Sequence, residues 1–199
     1  DLKLQKQVDF LETHPEFVAC GGNTKVIYEN DANKVEFFRP DFTDCTTDII
    51  TIDEQVKHEL PFHTSSVLYK NIIKQVPPFF YKYISGDILI YTLLAEKGKL
   101  AYLDHVFSVH RMHPLGITKT NALNLEKKYR NKANMYRELN TYFSSRFKDL
   151  YRQKIYVNLV KLVLTLNRSC QYSKTYKIFP ELFAYRKNMP EYLIFFLRN

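Results

Sequence analysis

The 199 residues carry 29 Lys and Arg against 21 Asp and Glu, a formal net charge of +8, with 15 Tyr, 15 Phe and no Trp. A chain of this length fits one or two domains with a sizeable core, and its ordinary apolar content excludes a disordered or fibrous protein. Cys20, Cys45 and Cys170 are widely spaced and form no Cys-x-x-Cys pair; this excludes a disulfide scaffold and a structural zinc site, and a reducing cytoplasm is expected.

In chain order, Leu4, Val8 and Leu11 fall at helical spacing before Pro15, so the chain is read as opening with an amphipathic helix and not with a secretory leader. Val18 to Tyr28 reads as a strand, and the Gly21-Gly22 pair within it signals a bulge or a close backbone approach rather than a phosphate loop. Residues 29–61 mix charge, Pro and Thr and read as loops, with a short strand or helix around Ile49 to Ile52. Phe62 to Tyr69 is expected to be a strand that turns into a short helix at Tyr69-Lys70-Asn71, and Pro77-Pro78 breaks the chain. A helix follows with Ser85 as its cap and Asp87 in its first turn; it is apolar nearly all round, hence buried, and closes at Gly98. Leu100 to Tyr102 and Val106 to His110 read as short strands. From Ala122 the pattern is helical: Leu125, Tyr129, Ala133 and Tyr136, then about 147–167 and 172–185, with a last short helix after Pro190.

Charge divides the chain near residue 120. Residues 1–118 hold 12 Lys and Arg against 16 Asp and Glu, whereas residues 119–199 hold 17 against 5, a net +12 for the tail. The expected domains are therefore 1–118 and a basic helical appendage, 119–199. A field of that sign attracts polyanions, an anionic membrane surface among them. Apolar stretches such as Leu159 to Leu166 are too short to span a bilayer.

Tyr83-Ile84-Ser85-Gly86-Asp87, Gly98, Tyr102-Leu103-Asp104 and Arg111-Met112-His113 with Gly116 together resemble the C-terminal half of the catalytic domain of family 2 glycosyltransferases, the inverting enzymes of GT-A fold. Leu2 to Glu12 with Pro15 resembles the helix that follows the metal-binding Asp-x-Asp of that family, and Phe62 to Lys70 its acceptor strand. His110 stands where Tyr is usual and Ile88 where Trp is frequent. The resemblance implies an α/β fold, the C-terminal portion of a GT-A mixed sheet followed by the helical appendage. It implies transfer of a sugar from a nucleotide diphosphate to a saccharide or lipid-linked acceptor of a bacterial surface polymer, with Asp87 as general base. His63, Thr64, Ser65, Gly86, Arg111 and His113 are the implied substrate-binding residues.

His113 is also the implied late ligand of a divalent metal, Mn or Mg. The chain contains no Asp-x-Asp, so the main metal ligands and the nucleotide-binding strands are expected outside it. A fragment of this kind is expected to be inactive alone and to form a homodimer or a complex with its own N-terminal part. Its expected location is cytoplasmic, peripheral on the inner membrane.

The same residues have plainer readings. Asp87 alone is an acid favoured by the helix dipole, a preference of roughly 0.3–1 kcal/mol. Arg111 suits a phosphate or an internal carboxylate such as Asp104 equally well. His63, Thr64 and Ser65 suit either an acceptor site or a strand with satisfied hydroxyls. The spacing of His105, His110 and His113, with Arg111 among them, is that of no zinc motif. A non-catalytic membrane- or protein-binding module built on a transferase-like scaffold is the alternative function. A nucleic-acid partner is not expected, because no recognition helix or aromatic RNA-binding strand is present.

Overall fold

The computed structural model describes residues 2–38, 48–113, 116 and 124–186, leaving aside the side chain of Ala32. Asp1, expected just past a metal motif, and the helix expected after Pro190 lie outside them. The chain divides into two compact units, Asp1–Phe80 with Ser85–Gly116, and Tyr81–Ile84 with Ile117–Asn199. Tyr81–Ile84 thus belong with the second unit although they come early in the sequence.

The first unit is mixed α/β. Helix α1 (Leu2–Thr13) precedes β1 (Phe17–Tyr28), β2 (Asp31–Phe38), β3 (Ile49–Ile50), α2 (Ile52–His58), β4 (Leu68–Tyr69), α3 (Gly86–Lys97) and β5 (Lys99–Met112). The sheet runs β2-β1-β5-β3, and β4 pairs with β1. Only β1 and β5 are parallel; the β1–β2, β1–β4 and β3–β5 pairs are antiparallel. As the central strand, β1 has no polar face along its first half, and its first eight residues are buried.

Between Gly22 and Thr24 the β1–β5 register slips: Gly22 stands opposite Leu103, Asn23 opposite Val106 and Thr24 opposite Ser108. A Cβ on Gly22 would strike the carbonyl oxygens of Leu103 and His105, the latter at 2.6 Å. The Gly pair therefore marks the close approach that its composition predicts.

Two apolar layers cover the sheet. Leu11 and Phe10 of α1 pack with Phe17, Cys20 and Ala101 on one side. Tyr91, Leu94 and Ala95 of α3 pack with Val18, Ile50, Phe62 and Leu100 on the other. Burial pushes the Cys20 thiol up to about 11. The α1 face differs from expectation. Leu4 and Val8 are exposed, and the buried residues are Leu11 and Gln7, whose Nε2 donates to the carbonyls of Cys20 at 3.1 Å and Ser66 at 2.9 Å. A buried amide that satisfies two backbone acceptors fixes the helix where a leucine would leave both unpaired.

Four further expectations are corrected. The region 29–61 holds β2, which was not expected, besides the short strand and helix around Ile49 to Ile52 that were, β3 and α2. Phe62 to Tyr69 is mostly not a strand, because Thr64–Ser66 form a 3-10 turn and only Leu68 and Tyr69 pair with β1. No helix follows at Tyr69-Lys70-Asn71. The two short strands after Gly98 are one strand, β5, whose pairing with β1 shifts register along its length.

The second unit contains α4 (Leu125–Tyr142), α5 (Lys148–Arg168) and α6 (Tyr172–Tyr185), joined by short turns as consecutive helical hairpins. Its interior is built from Met135, Tyr136 and Leu139, from Tyr151, Ile155, Leu159, Leu162 and Leu166, and from Ile178 and Leu182. Glu181 joins α6 to α4 by pairing with Arg130 at 2.6 Å and with Arg137. Tyr81–Ile84 lie on α4, where Asn131 Oδ1 accepts from the Ile84 N–H at 3.0 Å and Lys82 pairs with Glu138 at 3.5 Å.

Candidate active site

Asp87 is the second residue of α3, half-buried, in the first turn of a helix that buries Ile88, Leu89, Tyr91, Thr92, Leu93, Leu94 and Ala95. Ser85 occupies the cap position without a side-chain capping bond, and Asp87 Oδ1 accepts from the Ile88 N–H at 2.8 Å. A Cβ on Gly86 would meet nothing within 4 Å, so the space before Asp87 is clear. One turn on, the Tyr91 side chain is 1% exposed and its hydroxyl has no hydrogen-bond partner among the described residues. Burial, and then the Asp87 charge, raise that hydroxyl far above the ordinary tyrosine value.

His63, at the entry to the 3-10 turn, lies within electrostatic range of Asp87. Its ring sits 4.5 Å from that of His110, centroid to centroid, and meets Phe38 edge-on at 5.7 Å. Burial lowers its pKa, the neighbouring His110 lowers it further, and Asp87 opposes both. The imidazole is therefore neutral at neutral pH.

From His63 a line of hydroxyls runs to the sheet. Nδ1 lies 2.7 Å from Ser65 Oγ, Ser65 Oγ donates to Ser108 Oγ at 2.9 Å, and Ser108 Oγ lies 2.7 Å from the buried Thr24 Oγ1. Thr24 and Ser108 are register partners of β1 and β5, and His110 is next along the same face of β5. The structure thus brings Asp87, His63 and Ser65 into one neighbourhood and adds His110, Ser108, Thr24 and Tyr91. The readable signal was the alternation Ser108-x-His110 on one strand face.

Thr64, exposed, lies between His63 and Ser65. Strand alternation puts Arg111 on the face opposite His110, where it pairs with Glu29 at 3.9 Å and its side chain is 65% exposed. Asp104, the other candidate partner of Arg111, instead accepts from Asn23 Nδ2 at 2.9 Å, and the Tyr102 hydroxyl donates to Asn23 Oδ1. His113 follows β5, and its carbonyl accepts from the Gly116 N–H at 3.1 Å. Tyr102 and Asp104 line a separate groove of about 480 Å³ beside α1, with Lys6, Asp9 and Asp48.

No three His, Cys, Asp or Glu side chains among the described residues stand where they could hold a metal ion.

No family model matches the chain. It is 29% identical over 119 residues to uncharacterized proteins of Mycobacterium bovis and Mycobacterium tuberculosis, a match covering 58% of this chain and 32% of each relative. The chain thus spans about a third of the length of the curated relatives it matches.

Proposed function

We propose that the first unit is the acceptor side of an inverting GT-A sugar transferase of the family 2 type, with Asp87 as the general base. The observation that carries the reading is the Asp87 carboxylate itself, half-exposed in the first turn of a buried helix, with clear space at Gly86 and a neutral imidazole, His63, within range. In the reaction, a hydroxyl oxygen of the acceptor forms a bond to the anomeric carbon of the donor. The bond from that carbon to the diphosphate breaks, the diphosphate leaves with its electron pair, and the hydroxyl proton passes to Asp87.

Ser65 and Thr64 offer exposed hydroxyls that suit a polyhydroxylated acceptor. The acceptor is a saccharide or lipid-linked saccharide, and the nucleotide-sugar donor is held largely by sequence beyond these 199 residues. His113 is the residue this reading assigns to the donor diphosphate. Arg111, the other cation the resemblance implies for substrate, pairs with Glu29 at 3.9 Å.

The test is sugar transfer by the full-length protein from a panel of nucleotide sugars, comparing wild type with Asp87→Asn. A positioned base contributes roughly 10²–10⁴ in rate. The variant is expected to lose two or more orders of magnitude in turnover while nucleoside-diphosphate affinity stays nearly intact. Turnover within a few-fold of wild type would sink the assignment.

A further inference from the structure

Helix α6 buries Thr175, Ile178 and Leu182 on one face and leaves another face of aromatic rings in water. Tyr172 is 55% exposed, Tyr176 71% and Phe183 57%. With Phe179 they follow the spacing four, three, four of a single helix face. Their rings touch in sequence, Tyr176 to Phe179 at 5.9 Å and Phe179 to Phe183 at 6.1 Å. A soluble helix normally fills such a face with charge, and a continuous aromatic stripe marks a surface that something apolar covers.

Charge identifies what covers it. Lys177, on the same helix, and Arg186, just past its end, are both exposed. The one acid of α6, Glu181, points to α4 and is taken up by Arg130 and Arg137. Of the other acids on the helices of this unit, Glu126 pairs with Lys174 at 3.1 Å and Glu138 with Lys82 at 3.5 Å, and Asp149, in the first turn of α5, is exposed. Residues 119–199 carry a net +12. An aromatic face bounded by cations in a strongly basic unit is complementary to an anionic lipid surface: the rings enter the headgroup boundary, and the cations meet the phosphates. No described helix is long and apolar enough to cross a membrane, so the contact is a surface one.

We propose that α6 docks the protein on an anionic bilayer, with Tyr172, Tyr176, Phe179 and Phe183 in the interface and Lys177 and Arg186 on lipid phosphates. This site would hold a transferase where lipid-linked saccharides reside. It does not rest on the transfer chemistry, and its test reads no turnover.

The experiment is flotation of the 199-residue chain with vesicles of phosphatidylcholine alone or mixed with phosphatidylglycerol. Binding is expected to the mixed vesicles at low salt and to fall as salt is raised. Tyr176→Ser with Phe183→Ser, and separately Lys177→Glu with Arg186→Glu, should each weaken it about tenfold or more. All four side chains are exposed, and circular dichroism checks that each variant keeps its helices. Absence of binding to anionic vesicles at low salt overturns the proposal, as does equal binding by either double variant. Binding to soluble polyglutamate without binding to vesicles also overturns it, and points to an acidic protein instead.

Discussion

His63 shows how a single side chain ties the site to the stability of the fold. Its pKa in the folded chain lies below the ordinary histidine value because burial and His110 outweigh the pull of Asp87. Between that lowered value and about 6.5 the unfolded chain takes up a proton that the folded chain refuses, so acid favours unfolding. The stability is therefore complete above the unfolded value and is lost as pH falls through the folded one. Melting temperature is expected to drop as pH falls below about 6.5, and His63→Gln should flatten part of that slope. An unchanged slope would show that His63 titrates alike in both states. Asp87 was legible because an acid at the start of an apolar run is a local pattern. Gln7, Thr24 and Ser108 were not: each gains its meaning from a partner far along the chain, Ser66 for Gln7 and the β1–β5 register for the other two.

Among the elements, long periodic segments were readable and short ones were not. Helix α3 and the three helices of the second unit carry their own signal, through apolar periodicity and the glycine at Gly98, where a Cβ would strike a methyl group of Val18. Phe62 to Tyr69 has strand-forming residues, yet His63 caps a 3-10 turn there and draws its residues out of the sheet, an outcome set by tertiary contacts. Thr51 and Glu54 form a capping box at the start of α2. The Thr-x-x-Glu spacing is in the sequence, inside a stretch read as loops for its mix of charge, Pro and Thr.

The turn between α4 and α5 makes its own prediction. Ser144 and Ser145 have φ of 48° and 64°, a conformation that costs an L-residue about 1–2 kcal/mol and glycine far less. Allowing for the greater freedom of glycine in the unfolded chain, Ser145→Gly should raise stability by about 0.5–1 kcal/mol. A denaturant midpoint that stays put or falls would contradict this.

At the scale of the molecule, the two units differ in how far along the chain their partners lie. Neighbouring helices of the second unit follow each other through short turns, whereas Phe17 of β1 stands opposite Lys99 of β5, about eighty residues away. Closing a loop of that size precedes any gain from the pairing, and parallel strands so far apart pair slowly. Pulse-labelled hydrogen exchange during refolding should find the amides of α4 and α5 protected before those of β1 and β5; simultaneous protection would argue against it. During synthesis the same register has a temporal meaning. As each residue leaves the ribosome, β1 can meet only β2 and β4 on one side, and its other edge stays open until Met112 has emerged. For that interval an interior strand of the sheet is an unfinished template, the stage at which another nascent copy could pair with it and at which a chaperone would matter most.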